Sequence, residues 1–527
     1  MHQAETIVLL FALVVVLVLV ARKLALPYPV VLVLAGLGIS LVPHLPAVKL
    51  NPDIVFYFLL PPLIYPAALF TSWRDFRRNL RPILFLAIGL VLFTMFAVAG
   101  VAHMIFPSLP WAAAFALGAI VSPPDAVAAA SVIRRVPVPA QIVTILEGES
   151  LVNDATALVA LRFAVAALTM GTFSISAVAA RFVWVVVSGI AFGLLVGFVM
   201  RWVQRHLDDP PVQITISLLT PFIAYLPAER LGSSGILATV AAGIYLGWYS
   251  PLIVSARYRI QAFAFWEMIV FLLNGFVFIS IGLQLPGVLH ALQGESFVSL
   301  LDEALLICLA VVVVRIAWVF PATYLPRWLF KRIRQRDPAP NWRTVAVVAW
   351  SGMRGVISLA AAFALPLVLP DGRPFPGRNY ILFFTFCVIL TTLAFQGLTL
   401  PILIKKLGVH GDRTTDDEER AARLEANRAA LEQLQQFVAN GEFTADVVDR
   451  LRVEYNERIE QLEICAANPD DCSGEIATPQ YQQLQQRALD VERETIIRLR
   501  NQRVINDDAL RRIQRDLDLA EARLSGR

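Results

Sequence analysis

Apolar runs long enough to cross a lipid bilayer recur along the chain as far as residue 404. A helix needs about 20 apolar residues to span the hydrocarbon layer, because each residue advances it by about 1.5 Å. The pattern predicts thirteen membrane-spanning helices, at residues 5–21, 28–43, 54–70, 82–105, 111–133, 139–168, 178–203, 212–228, 233–250, 262–284, 299–321, 343–366 and 379–404. The eighth is short and is predicted to end in a polar turn at residues 227–230. We therefore predict an all-α, polytopic membrane protein.

Basic residues between the spans indicate their orientation. If the N-terminus lies outside, every odd-numbered loop is cytoplasmic and carries at least two Lys or Arg side chains, whereas the outer loops hold scattered ones: Lys49, Arg181, Arg230, Arg373 and Arg378. Lys and Arg concentrate in the cytoplasmic loops of membrane proteins. We predict a multi-pass protein of the cell inner (plasma) membrane with an outer N-terminus and a cytoplasmic C-terminus.

Two spans are interrupted near their middle. Span five contains residues 122–125 (SPPD), whose adjacent prolines remove two backbone donors. Span twelve contains residues 351–355 (SGMRG), where two glycines flank a charge. With span seven as a linker, spans 1–6 and 8–13 form two inverted six-helix sets, and the broken span is the fifth of each. Broken helices in corresponding positions of inverted halves indicate the ion site of a transporter.

Charge divides the chain into two regions. The whole sequence is 57% hydrophobic and 16% charged, but its charged residues concentrate after about residue 410. We predict a transmembrane domain over residues 1–406 and a cytoplasmic helical tail over residues 407–527, in which apolar residues at heptad-like spacing favour a bundle or coiled coil over a ligand-binding domain. The small net charge of +4 predicts no nucleic-acid binding.

Span six carries three carboxylates within residues 147–154 (EGESLVND). A charged side chain in the membrane costs at least about 2.5–3.5 kcal/mol and indicates function. Ser150 and Asp154 are four residues apart and share a helix face, while Asp125 lies at the span-five break. If these helices cross, Asp125, Asp154, Ser150 and the freed carbonyl of Pro124 form an all-oxygen site suited to a hard cation such as Na⁺.

Such a site favours competition between a proton and a cation. Burial and a neighbouring like charge favour the protonated carboxyl, whereas a bound cation favours the ionised one. Either ligand discharges the site and lets it move, because an uncompensated carboxylate resists crossing the hydrophobic barrier. This competition is the minimal chemistry of an antiporter.

Arginines inside the predicted spans need partners, because an unpaired buried charge is costly. We predict a structural ion pair between Glu149 and Arg315 in span eleven, with a transport role for Glu149 as the alternative. Arg354 at the second break could neutralise helix C-terminal carbonyls or approach Asp154. Arg162, eight residues after Asp154, could line an access path or extend outward to the membrane surface.

Together these motifs resemble the monovalent cation/proton antiporter family, which includes bacterial NhaP-type and animal NHE-type sodium/proton exchangers. The resemblance rests on residues 148–154 (GESLVND), 122–125 (SPPD) and 352–355 (GMRG) with Arg315, in the family's order and spacing, and covers about residues 1–406. It implies a homodimer whose mobile six-helix core moves by an elevator-like mechanism, with no cofactor beside the transported Na⁺ and H⁺.

The resemblance also implies roles for individual residues. Cation and proton binding would involve Asp154, Asp125, Ser150, the main chain at Pro124 and Asn153, with Asp154, Asp125 and Ser150 as the side-chain Na⁺ ligands. Glu149 with Arg315 would be the family's structural pair. Asn153, in place of a second adjacent aspartate, resembles the electroneutral branch, which exchanges one cation for one proton. The family often has Thr where this chain has Pro124, so a hydroxyl is lost and the choice among Na⁺, Li⁺ and K⁺ stays open.

Other functions fit the sequence less well. The main alternative is a K⁺-selective antiporter. An intramembrane aspartyl protease would need a Gly-x-Gly-Asp motif that the chain lacks, and a channel does not need broken helices with paired acids. A sensor or scaffold that no longer transports is a further class, against which the intact Asp125 and Asp154 argue. We predict a transporter and not an enzyme.

Overall fold

The computed structural model describes residues 2–24, 26–40, 52–133, 136, 138–170, 175–290, 292, 294–370, 372–411, 414–441, 443–467 and 479–502, with residues 513–514, 517–519 and 521. The chain forms two compact units, Met1–Gly411 and Asp412–Arg527. Within the described residues both units consist mainly of helices and contain no β-strand, apart from an isolated bridge between Val368 and Pro374. The all-α fold class is therefore confirmed.

The first unit has a helix or a pair of half-helices at each predicted span. The unbroken ones are His2–Lys23, Tyr28–Ser40, Pro52–Phe70, Leu80–Ile105, Ala140–Met170, Ile175–Arg205, Pro210–Arg230, Gly235–Ile253, Ala256–Leu283, Phe297–Leu329 and Arg378–Leu407. Within the described residues, nine helices are long and apolar enough to cross a membrane. The count of thirteen crossings and the inverted repeat stay predictions.

The two interruptions lie where the sequence predicts them. The first broken helix consists of Trp111–Val121 and Ala126–Ile133, and the second consists of Trp342–Trp350 and Val356–Phe363. Prolines without a backbone N–H end the first half-helix. At the second break Gly355 has extended backbone, with φ −134° and ψ −152°, so the α-helix cannot continue through it. Three shorter helices, Trp73–Arg78, Leu285–His290 and Lys331–Arg336, lie between spans.

Several helix ends differ from the predicted ones: Ala256–Leu283 begins six residues before its predicted span, and Phe297–Leu329 extends eight residues beyond its own. The end of the eighth span is explained by its contacts. The eighth span was expected to end at residue 228 in a polar turn, but its helix continues to Arg230. Glu229 lies in this helix, and its Oε1 accepts a hydrogen bond from the Gly235 N–H at 2.9 Å, at the start of the helix Gly235–Ile253. The polar residue therefore has a partner inside the protein and does not mark a turn. The turn itself follows at Gly232, whose φ of 72° favours glycine.

Small residues let several helices pack backbone to backbone. A Cβ atom on Gly36 would lie 2.3 Å from the Ile279 carbonyl oxygen, and one on Gly282 would lie 2.2 Å from that of Val33. Tyr28–Ser40 and Ala256–Leu283 therefore touch along glycines, as helices do when van der Waals packing in lipid drives their association.

The second unit contains the helices Thr414–Ala439, Ala445–Ala467 and Pro479–Asn501. The Arg428 side chain donates to Glu463 at 2.7 Å and joins the first two of them. The end of the predicted helical tail, after residue 502, lies mostly outside the described residues. The coiled coil stays a prediction.

Candidate cation-binding site

The candidate site lies where the helix Ala140–Met170, here called the site helix, passes the first broken helix. Asp154 is 5% exposed and Asn153 is fully buried, while Ser150 lies one turn before Asp154 and is partly buried. Asp125 lies at the first break, also partly buried, within electrostatic range of Asp154. The structure therefore brings together the two predicted acids.

Hydrogen bonds tie the first break to both the site helix and the second break. The Asn153 side chain donates through Nδ2 to the Pro124 carbonyl at 2.9 Å. The Asp125 backbone N–H donates to the Met353 carbonyl at 2.7 Å. Because a carbonyl oxygen has two lone pairs, the Pro124 oxygen can still accept a second contact. Asn153 thus positions a predicted ligand, a role that its sequence position did not reveal.

Gly355 leaves the space in which the Asp125 carboxyl group lies. A Cβ atom on Gly355 would be 1.7 Å from Asp125 Oδ2, a distance that no side chain tolerates. The need for glycine is steric, since the backbone of Gly355 has negative φ. The two breaks therefore meet, with the carboxyl group of one packed against the backbone of the other.

Arg354 covers the carbonyl end of a half-helix. Its Nε donates to the Val121 carbonyl at 3.1 Å, its Nη1 donates to the Gly352 carbonyl, and its backbone N–H donates to Thr392 Oγ1 at 3.0 Å. A cation at a helix C-terminus is stabilised by the partial negative charge there. Of the two roles open for Arg354, the geometry therefore favours neutralising helix carbonyls.

Glu149 and Arg315 form a bidentate pair out of contact with solvent. Arg315 Nη1 and Nη2 donate to the two carboxylate oxygens at 2.7 and 2.9 Å, and Nη2 also donates to the Val348 carbonyl at 3.2 Å. The side chains are 1% and 0% exposed. The pair joins the site helix to Phe297–Leu329, here called the arginine helix, and Val348 adds the second broken helix.

Arg162 contacts a residue on a neighbouring helix. Its Nη2 donates to Glu229 Oε2 at 2.5 Å, with side-chain exposures of 53% and 13%. The sequence suggested an access path or an extended side chain, and it did not identify this partner. The pair joins the C-terminal half of the site helix to Pro210–Arg230.

Thr392 is the supporting residue that the sequence analysis missed. It lies in a π-helical turn, Thr392–Gln396, and its Oγ1 accepts the Arg354 N–H while donating to the Val388 carbonyl. Consecutive threonines inside an apolar span were the available signal. This hydrogen bond connects the last span to the second break.

The arrangement brings oxygen ligands and a proton acceptor together out of bulk water. Asp154 and Asp125 supply carboxylate oxygens, and both lie close to the buried, non-helical backbone of the first break. Oxygen ligands of this kind bind hard cations. Because like charges in a buried site favour binding of one positive ligand, the site can hold a cation or a proton.

Comparisons with known proteins identify the family. A sequence profile of the sodium/hydrogen exchanger transmembrane domain matches residues 9–406. The chain belongs to this family. Its members are transporters, so the predicted class of cation/proton antiporter is confirmed at that level.

Relatives extend over most of the chain. The Na⁺/H⁺ exchanger Rv2287 of Mycobacterium tuberculosis is 35% identical over 526 residues, which cover 98% of this chain and 95% of that protein. The sodium, potassium, lithium and rubidium/H⁺ antiporter of Bacillus subtilis is 34% identical over 446 residues, 83% of this chain and 66% of that protein. Among solved structures, the sodium proton antiporter MjNhaP1 of Methanocaldococcus jannaschii has a TM-score of 0.61 at 21% identity, over 77% of this chain and 99% of that one, a likeness of fold.

Proposed function

We propose that this protein exchanges Na⁺, or Li⁺ or K⁺, for H⁺ with one cation per proton, by elevator-type alternating access in a homodimer. The observation that carries the proposal is the approach of Asp154 on the site helix to Asp125 at the first break. Asp154, Asp125, Ser150 and the Pro124 carbonyl would bind the cation, and Asp154 would be the main proton acceptor.

Exchange follows from competition for the same oxygens. An uncompensated buried carboxylate is costly, so the site is stable only with a proton or a cation bound. The loaded site can then move across the low-dielectric membrane, whereas the empty, charged site cannot do so at low cost. Cation release to one side and proton uptake from the same side therefore lead to exchange and not to net flow of either ion alone.

The supporting contacts favour movement as one body. Side-chain and backbone hydrogen bonds link the site helix to the first break, the first break to the second, and the site helix to the arginine helix. Because these bonds lie inside the bundle, displacement of the site would carry all four elements. This linkage supports the elevator proposal.

Asn153 supports one-to-one exchange. A second aspartate there would add a group that binds a proton, whereas an amide at neutral pH binds none. Loading by one cation or one proton then gives the site the same charge. An imposed membrane potential should leave the rate nearly unchanged, and strong acceleration by the potential would refute electroneutral exchange.

The test is cation-driven proton movement in proteoliposomes with a pH-sensitive dye. Asp154→Asn should abolish exchange, because an amide cannot alternate between charged and protonated forms. Asp302→Asn makes the same chemical change at an exposed residue of the arginine helix and should retain exchange. Normal exchange by Asp154→Asn would contradict the site assignment, and melting temperatures would exclude unfolding as the cause of its loss.

Titration of Na⁺, Li⁺ and K⁺ in the same assay would determine selectivity. The Bacillus subtilis relative is named for sodium, potassium and lithium among its substrates, which supports testing all three cations. A response to K⁺ alone would favour the K⁺-selective alternative. An intact folded protein that gave no response to any cation would favour a non-transporting sensor.

A further inference from the structure

Two arginines from distant parts of the first unit converge on one carboxylate oxygen. Arg81 Nη2 and Arg327 Nη2 donate to Asp337 Oδ2 at 2.5 and 2.9 Å, and Arg327 Nε donates to the Asp337 carbonyl at 3.2 Å. Arg81 gives this carboxylate one of its five N–H groups. The junction therefore carries one more positive charge than negative and retains donors suited to phosphate oxygens.

Exposed cations surround the junction on both chain segments. They are Arg74, Arg77 and Arg78 of the helix Trp73–Arg78, and Lys331, Arg332 and Arg334 of the helix Lys331–Arg336. We call these six residues with Arg81 and Arg327 the basic face. Acids are scarce in the two segments that carry it, since Asp75 is the sole acid in residues 71–90 and Asp337 the sole acid in residues 320–345.

The cations lie close enough to act together. Arg78 is three residues from Arg81, and Arg334 is three residues from Asp337, so each lies within about 11 Å of the junction along the backbone. That upper limit is close to the Debye length of about 10 Å at 0.1 M salt. A phosphate at the junction would therefore interact with charges from both segments.

Apolar side chains identify the kind of partner. Trp328, Leu329 and Phe330 are 76%, 56% and 58% exposed and directly precede Lys331, while Trp73, 36% exposed, directly precedes Arg74. Aromatic residues followed by cations, next to the ends of membrane spans, are typical of the bilayer interface. A soluble acidic partner would complement the charges but not this apolar row.

We propose that the basic face binds the headgroup of an anionic phospholipid. The phosphate would contact the Arg81–Arg327 junction, the surrounding cations would hold the headgroup charge, and Trp328 and Phe330 would lie against the acyl chains. Phosphatidylglycerol has the required charge and chemistry.

A bound lipid would brace two helices that support the site helix. Arg81 lies in the first turn of Leu80–Ile105, which packs so closely on the site helix that a Cβ on Gly148 would lie 2.4 Å from Ile83 Cδ1. Arg327 lies in the last turn of the arginine helix, twelve residues or about 18 Å after Arg315. Lipid binding should therefore raise the exchange rate, a consequence that rests on the proposed function, whereas the binding itself does not.

The binding test uses the purified full chain in detergent and measures the melting temperature with added lipid. Dioleoylphosphatidylglycerol should raise it by several degrees more than dioleoylphosphatidylcholine does. The variant K331Q/R334Q should lose at least half of that difference. The control R205Q/R257Q removes two other exposed cations from loops predicted to lie on the same side, and it should retain the full difference.

Three outcomes of the lipid titration would overturn the proposal. They are equal shifts with the two lipids, an unchanged shift in K331Q/R334Q, and an equal loss in the control, which would indicate a general charge effect. An equal shift with inorganic phosphate would overturn it in favour of a free anion.

Exchange in vesicles with increasing phosphatidylglycerol content provides the functional measurement. The wild-type rate should rise at least about twofold and the rate of K331Q/R334Q should not. If neither the wild-type protein nor the variants exchange ions but the wild-type protein keeps its lipid-dependent melting shift, the proposed function is wrong while the lipid site is still supported.

Discussion

Breaking the Glu149–Arg315 pair should cost about 3–5 kcal/mol of stability. Glu149→Gln removes the negative charge but leaves Arg315 buried, with Arg354 within electrostatic range. Two unit charges at 4 Å interact by about 4 kcal/mol at an effective dielectric constant near 20. Loss of one partner from a buried pair costs a similar amount, because the other charge stays out of water. The bond from Arg315 to the Val348 carbonyl compensates only in part.

A double-mutant cycle measures this coupling. Glu149→Gln and Arg315→Gln should each lower the melting temperature of the purified protein by several degrees. The double variant should be less destabilised than the sum of the two, by at least about 2 kcal/mol, because it leaves no unpaired charge. Asp337→Asn is the control in the same unit, since its carboxylate also pairs at short distance but is 41% exposed. Its partner Arg327 keeps bonds to the Thr323 and Asp337 carbonyls, so the effect should stay well below that of Glu149→Gln.

Additive effects would refute the reasoning. If the double variant were as unstable as the two single variants combined, Glu149 and Arg315 would not be coupled and their contact would not hold the site helix to the arginine helix. A stable Glu149→Gln protein that lost exchange would instead favour the transport role for Glu149.

The other predictions concern packing and movement. Gly355→Ala should reduce exchange at least about tenfold in the proteoliposome assay, because the added methyl group would collide with the Asp125 carboxyl group. The control Gly100→Ala, with no atom within 4 Å of its Cβ position, should leave exchange unchanged. Normal exchange by Gly355→Ala would contradict the packing of the two breaks. Glu229→Gln should speed exchange by a factor of about two to five, because it removes a half-exposed ion pair that the moving site helix would have to break, and the charge swap of Arg162 and Glu229 should return the rate toward normal. An unchanged rate in Glu229→Gln would mean that this contact does not limit movement.

Hydrophobic pattern predicted most of the fold. Long apolar runs identify helices because every backbone group in lipid must be bonded within the segment. Adjacent prolines at residues 123–124 and glycines at 352 and 355 located both breaks for the same reason. The end of Pro210–Arg230 was misplaced because Glu229, polar by composition, is used within the protein by Arg162 and Gly235.

The site was predictable where chemistry left few choices. The sequence predicts the pairing of Glu149 with Arg315 because few opposite charges lie inside the spans, and the two side chains are in contact in the structure. The Asn153 bond to Pro124 and the fit of Asp125 against Gly355 were not predictable, because they depend on how two distant breaks approach. The spacing of residues along one helix does not indicate how that helix approaches another.

The contact between the two breaks constrains the order in which this protein is made. The Arg354 bond to the Val121 carbonyl joins residues 233 positions apart, so the first broken helix leaves the ribosome long before its cap has been synthesised. Its freed carbonyls then have no partner from the chain, and such groups are not stable facing lipid. The first half must remain shielded or hydrated at its break until the second half inserts. Halves made as separate polypeptides should therefore resist proteolysis only when they are produced together.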